Sequence, residues 1–281
     1  MHIVITGGNG YIGRNLAKFL VNTEHKITLI SRNNALKTDK LLLKNVKYLY
    51  FDIFSNNSNM YEMLEKPDVL VHLAWESGFM HNESSHYNNV IKHINFIENM
   101  LKGGLRNLAI AGTMHEIGYF VGEVDENTPA NPQNLYGIAK NFLRQTTEIL
   151  CKNYSATYQW FRFFYIYGDD IHNNSIFTKI LRAYQENKKS FDLNSGELLY
   201  DFIHIDTLAS QISSVISQTK VNGIINCCTG NPVSLKTMVN NFIKDNNLSI
   251  TVEYNKFPIR PYDSRAIWGS NKKINLICNS V

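Results

Sequence analysis

A strand that breaks into a glycine turn and re-emerges as a helix leaves a chain few folds to choose from, and this chain begins that way. HIVIT (2–6) is a short apolar run dense in β-branched residues, and it stops at GGNGYIG (7–13). Ile12, Leu16, Phe19 and Leu20 then recur at helical spacing. Gly7, Gly10 and Gly13 divide the work of such a turn. The first glycine permits the tight bend, the second lets backbone approach a pyrophosphate, and the third lets helix and strand pack closely. The helix N-terminus then offers its N–H groups to phosphate. Gly7, Gly10, Tyr11, Ile12 and Gly13 are therefore expected to cradle a dinucleotide.

The pattern continues along the chain. KITLIS (26–31), VKYLYF (46–51), DVLVHLA (68–74), NLAIAG (107–112), YQWFRFFYIYG (158–168) and GIINCCTG (223–230) read as further strands. Helical segments at 85–101 and 134–152 alternate with them, the second opened by Asn134 as a cap. Near-continuous apolar strands alternating with helices predict an α/β fold, a doubly wound parallel sheet of the Rossmann type covered on both faces. After Gly168 segments shorten and prolines appear at 232, 258 and 261. The expected organisation is a dinucleotide-binding domain over 1–168, to which 205–230 returns. Residues 169–204 and 231–281 are expected to form a smaller C-terminal substrate-binding lobe over the carboxyl ends of the strands.

Composition narrows the partners. The 281 residues carry a net charge of +4, too mild to predict nucleic-acid binding, and no apolar stretch is long enough for a membrane span. Cys151, Cys227, Cys228 and Cys278 show no metal spacing. They are expected to be reduced thiols of a cytoplasmic protein without a bound metal.

The second strand ends in Ser31 and Arg32, where an NAD site usually shows a carboxylate for the ribose 2′-hydroxyl. A guanidinium can fork onto a 2′-phosphate, so NADP(H) is expected ahead of NAD(H). Asp52 is expected to accept from the adenine amino group, with Ile53 against the ring. Leu73 and Ala74 end the fourth strand beside the cofactor, and His72 reads as a core histidine.

LYGIAKN (135–141) places Tyr136 and Lys140 on one helical face. A tyrosine with a pKa of about 10 is a poor acid at neutral pH. A nearby ammonium favours the phenolate and is expected to lower that value. The phenol then becomes a proton donor to a carbonyl receiving hydride. Thr113, just past the fifth strand, is expected to bind the same oxygen.

TGGNGYIG, FDI, VHLA, YGIAK and YDFIHIDTLA (200–209) together resemble the extended short-chain dehydrogenase/reductases, the group that modifies nucleotide sugars. NVIKHINFIE (89–98) and RPYD (260–263) extend the resemblance over nearly the whole chain. It implies that Tyr136 donates the proton, that Lys140 orients the ribose and tunes Tyr136, and that Thr113 takes the place of the family's Ser/Thr. After Thr113 stand Met114 and His115, where the family's dehydratases carry an Asp-Glu pair. Ile176 replaces the histidine of its epimerase-reductases. GTMHEIGYF, RFFYIYGDD and RPYDSRAIWG are similar to reductases of dTDP-4-keto-6-deoxyhexoses. The resemblance therefore implies NADPH-dependent reduction at C4, giving a 6-deoxyhexose donor for surface polysaccharide. A 4-epimerase holding NAD is the alternative. A sensor that turns nothing over has no need of the Tyr136–Lys140 pair.

Met114, His115, Tyr165, Asn174 and Arg260 are the expected substrate contacts, Arg260 toward the nucleotide diphosphate. Phe163 and Phe164 are expected beside the nicotinamide. Glu116, His204 and Asp206 read as structural, Asp206 as a helix cap. Helices 85–101 and 134–152 would pair across a homodimer.

Overall fold

The fold described is that of a computed structural model, covering residues 1–32, 40–55, 59–168 and 173–279. Asn33, Asn34 and the first residues of the expected lobe, 169–172, lie outside the described residues.

Seven parallel strands form the main sheet: β1 (His2–Thr6), β2 (Lys26–Ser31), β3 (Lys47–Tyr50), β4 (Val69–His72), β5 (Asn107–Ala111), β6 (Thr157–Phe163) and β7 (Gly223–Cys227). Their spatial order is β7-β6-β5-β4-β1-β2-β3, so the connectivity reverses beside β1. That reversal opens a crevice at the carboxyl ends of β1 and β4. Alternate side chains enter opposite cores. Ile3 and Ile5 pack with Leu16, Leu20, Leu208 and Ile212, whereas Val4 packs with Ile97, Leu101 and Leu143. Both faces are covered, which is why the strand interiors are mostly apolar, and buried polar residues such as His72 and Gln159 are hydrogen-bonded. Phe19 departs from its expectation: it is 39% exposed, and Ala17 takes the buried position beside Leu16 and Leu20.

A second sheet joins Pro232–Ser234, Leu199–His204, Ala266–Gly269 and Gly122–Val124, with Tyr165–Tyr167 paired along Leu199–His204. Chain from both sides of residue 168 builds it. Its core contains Phe177, Tyr200, Phe202, Val239, Phe242 and Ile267. The helix Lys272–Cys278 leaves this lobe and returns Ile274 and Ile277 to the main core.

The apolar run 158–168 is two strands rather than one. β6 ends at Phe163, and Tyr165–Tyr167 pairs instead with Phe202, Ile203 and His204. Phe164 is thus the hinge residue between the two sheets. Asp201, fully buried, fastens the junction: its carboxylate accepts from Thr229 N–H (2.9 Å), the Thr229 hydroxyl (2.6 Å), Gly230 N–H (2.8 Å) and Gly269 N–H (3.2 Å). The helix Ile205–Ile216 is capped by His204, whose ring accepts from Asp206 N–H at 3.3 Å. Asp206 lies within the first turn and is not the cap.

Candidate active site

A cavity of about 810 Å³ opens where the two sheets meet. It is lined by the glycine turn (Gly7, Gly10, Tyr11, Ile12, Gly13), by Leu73, Thr113, Met114, His115, Tyr136 and Lys140, and by Phe163, Phe164, Tyr165, Asn174 and Arg260. Residues from every expected role meet there. Ser31, Arg32, Asp52, Ile53 and Ala74 do not line it. Asp52 Oδ1 accepts from Phe54 N–H at 3.0 Å as a loop cap, and Ile53 is buried in the core beside β1.

The turn fits a dinucleotide phosphate. Gly7 has φ +72°, and a Cβ there would stand 2.8 Å from Ala74 N. A Cβ at Gly13 would stand 2.4 Å from Gly7 O, so helix and turn touch without side chains between them. The following helix, Tyr11–Leu20, starts at Gly10 with no side-chain cap, leaving its N-terminus to face the cavity.

The helix Leu135–Asn153 carries Tyr136 and Lys140. Asn134 caps it, accepting from Gly137 N–H at 2.8 Å, as the sequence led us to expect. Two other first-turn donors are met by the segment after β4: Tyr136 N–H donates to His81 O (2.9 Å) and Leu135 N–H to Asn82 Oδ1 (3.2 Å). This docking stacks the His81 ring on the Tyr136 ring, 5.7 Å between centroids. His115 lies 4.2 Å from His81, and Tyr262 lies 5.9 Å from it. Burial pushes His81 down to about 4 and His115 to about 3, with Arg260 pressing the same way, so both are neutral near pH 7.

Burial raises the pKa of Tyr136, and the charge of Glu116 adds to that. A hydrogen bond from the Thr113 hydroxyl opposes them. The expected lowering by Lys140 is not among the influences on the phenol. The ammonium is turned elsewhere: Nζ donates to Ala111 O at 2.8 Å and lies 3.9 Å from the centroid of the Trp75 ring. Lys140 is 2% exposed, and burial brings its pKa down to about 7. The resting pair is a neutral phenol and a lysine poised between its two charge states.

Glu116 sets the position of Thr113. Thr113 and Glu116 form a capping box around the turn Met114–Glu116, with Thr113 N–H donating to Glu116 Oε1 at 2.8 Å. Trp160 Nε1 donates to the same carboxylate at 2.9 Å, and the guanidinium Nε atoms of Arg162 and Arg144 stand 3.7 and 3.8 Å away. Glu116 is structural, as its sequence context indicated. His72 is a core histidine, bonded to Thr6 and His93 at 2.9 Å each. Arg260 reaches the cavity while its Nε donates to Asp263 Oδ2 at 3.0 Å. Asn174 accepts from Arg182 at 3.3 Å, and Tyr165 stacks on Tyr200 at 4.0 Å.

Sequence reasoning missed Trp75, His81, Tyr200 and Asp263, all of them at the cavity. Trp75 stands immediately after Ala74 at the end of the expected strand, and Tyr200 and Asp263 lie within the motifs YDFIHIDTLA and RPYD, whereas His81 carried no local signal.

The profile of the NAD dependent epimerase/dehydratase family matches residues 3–228. The chain is 48% identical over 272 residues to a dTDP-6-deoxy-L-talose 4-dehydrogenase (NAD(+)) from Aggregatibacter actinomycetemcomitans, covering 96% of this chain and all of that one. Its fold is similar to that of a UDP-N-acetylglucosamine 4-epimerase from Methanobrevibacter ruminantium M1 solved with UDP-N-acetylmuramic acid (TM-score 0.86, 19% identity, 98% and 91% of the two chains). It also matches a UDP-glucuronic acid 4-epimerase from Bacillus cereus solved with UDP-glucuronic acid and NAD (TM-score 0.82, 20% identity, 100% and 94%). A parallel seven-stranded sheet with a glycine turn at its switch point thus agrees with the sequence relationships: the chain belongs to the NAD-dependent epimerase/dehydratase family of nucleotide-sugar enzymes.

Proposed function

We propose that the protein is a nicotinamide-dependent oxidoreductase of a nucleotide-linked 6-deoxyhexose, acting at C4 and serving as a 4-ketoreductase in the biosynthetic direction. A dTDP sugar is the favoured substrate, and its product would be a 6-deoxyhexose donor for surface polysaccharide. The observation that carries this reading is the meeting of Tyr136, Thr113 and Lys140 with the glycine turn in one cavity. The dTDP-6-deoxyhexose dehydrogenase with 48% identity supports the sugar class. Met114 and His115, standing where dehydratases place carboxylates, support simple redox over elimination.

When bound, the dinucleotide supplies hydride to the sugar carbon or receives it. The chain's own residues handle the oxygen. Tyr136 holds a proton at Oη, kept there near neutral pH by burial, and delivers it as negative charge gathers on the C4 oxygen. The Thr113 hydroxyl, fixed by the Glu116 box, donates to the same region. Lys140 provides positive potential one helical turn away, and its pKa near 7 lets that potential vary with pH. Arg260 and Asn174 bind the nucleotide diphosphate, and His81, His115 and Tyr165 face the sugar. Phe163 and Phe164 exclude water beside the reacting carbon.

NADP(H) was expected from a guanidinium open to phosphate. Arg32 is instead engaged by Glu76, which supports NAD(H). A homodimer is supported by the exposed apolar side chains of Tyr87, Ile91, Ile138, Phe142 and Ile149 on helices Ser85–Gly103 and Leu135–Asn153. Four free thiols, three of them buried, suit a cytoplasmic protein. Among the described residues no helix is long and apolar enough to cross a membrane.

The test is incubation with NADH or NADPH and a panel of dTDP-, GDP- and UDP-linked 4-keto-6-deoxy sugars, following absorbance at 340 nm. Dinucleotide consumption with a dTDP sugar is expected. Turnover of a 4-hydroxy sugar nucleotide without added dinucleotide would establish the epimerase reading, which the family equally accommodates.

A further inference from the structure

The end of β2 and the segment after β4 are tied together across β1. Arg32, one residue past β2, places its guanidinium Nη1 on Glu76 Oε1. Glu76 stands four residues past the end of β4, and its second oxygen accepts from Asn89 Nδ2 at 2.8 Å. Asn89 in turn accepts from Lys92 Nζ at 2.9 Å. In the sheet β1 lies between β2 and β4, so this bridge straddles the carboxyl end of the strand that delivers the glycine turn. The two partners are 44 residues apart in sequence and meet only because the strand order interleaves them.

Two consequences follow for the adenosine half of a dinucleotide. A guanidinium recruits a 2′-phosphate by offering its fork, and here one arm of that fork, Nη1, already meets a carboxylate. The carboxylate itself repels a phosphate of the same sign while remaining a good acceptor for a ribose hydroxyl. An acid of this kind normally comes from the end of β2; this chain supplies it from beyond β4.

Resting on the reading of the glycine turn as a dinucleotide site, we propose that Glu76 sets cofactor selectivity by holding Arg32 across the carboxyl end of β1, so that the site prefers NAD(H) over NADP(H). Asn89 is the positioning residue, fixing the Glu76 carboxylate so that Arg32 docks on a defined oxygen. The side chains of Arg32 and Glu76 are 58% and 33% exposed, so exchanging either leaves the core intact.

The experiment is equilibrium binding of NADH and NADPH, read by quenching of tryptophan fluorescence, for the wild type, Glu76→Gln, Arg32→Ala and the double variant. The wild type is expected to bind NADH more tightly. Glu76→Gln keeps the shape, removes the charge and releases Arg32, and should move the ratio of the two dissociation constants toward NADPH by about tenfold or more. Arg32→Ala in the Glu76→Gln background should erase that gain, because the released guanidinium is its source. A wild type that prefers NADPH, or a ratio unmoved by Glu76→Gln, overturns the inference while leaving the dinucleotide site standing. Failure of the wild type to bind either dinucleotide overturns the site reading and this inference together.

Discussion

Replacing Lys140 with methionine should stabilise the protein near neutral pH and destabilise it in alkali. Lys140 is buried, and burial lowers its pKa from 10.5 to about 7. That displacement corresponds to about 5 kcal/mol of penalty for the charged form, at ~1.36 kcal/mol per tenfold change in proton affinity. The sign follows from proton counting. Between pH 7 and 10.5 the unfolded chain holds a proton on this lysine that the folded chain has mostly released. Raising the pH through that window therefore stabilises the fold. The penalty is about 4 kcal/mol at pH 7, about 2 kcal/mol at pH 9, and gone above 10.5. Methionine escapes it but strands the carbonyl of Ala111, at a cost of about 1–3 kcal/mol. The net gain is then about 1–3 kcal/mol at pH 7, with the order of stabilities reversing at high pH. The indole face under Nζ favours the ammonium and shifts the onset of this change to somewhat higher pH. Urea unfolding of both proteins at pH 7, 8, 9 and 9.5 reads the difference, which should fall by roughly 1.4 kcal/mol per pH unit in mid-window. A difference independent of pH would show that the lysine keeps an ordinary proton affinity in the fold, and the electrostatic description of the site would fail.

Tyr136→Phe should lower turnover by about two orders of magnitude or more while leaving dinucleotide affinity nearly unchanged, as compared by steady-state kinetics and binding titration. Glu116→Ala removes the carboxylate facing buried Arg162 and should cost about 3–5 kcal/mol in denaturant unfolding. A loss below 1 kcal/mol would mean that the carboxylate does not offset the buried charge of Arg162. Phe142→Glu places a charge on the apolar face of helix Leu135–Asn153 and should turn a dimer into a monomer by light scattering.

The local pattern carried the first half of the fold well. Gly7 and Gly13 could be read because a turn this close to Ala74 and to its own helix excludes side chains. Asn134 could be read because capping is local. The break at Phe164 could not: WFRFFYIY contains no glycine or proline, and what divides it is a second sheet offering Leu199–His204 as a partner. His204 displaced Asp206 as cap because the helix began two residues earlier than the carboxylate suggested. At the site, the convergence of Tyr136, Lys140 and Thr113 on one cavity was legible from spacing and strand ends. Trp75 and His81 were not, since their roles arise from a segment folding over the Tyr136 helix. The expected lowering of the Tyr136 pKa by Lys140 failed for a related reason. Helical spacing showed the neighbour Tyr136 but not the depth of burial, and burial dominates both groups.

The most direct measurement follows the hydrogen. The enzyme is supplied with NADH carrying deuterium on the transferable position and a dTDP-4-keto-6-deoxyhexose, and the product is examined by proton NMR. Deuterium at C4 of the sugar, with loss of the C4 proton signal, is the predicted result. Product formed without deuterium at C4 would contradict hydride transfer to that carbon.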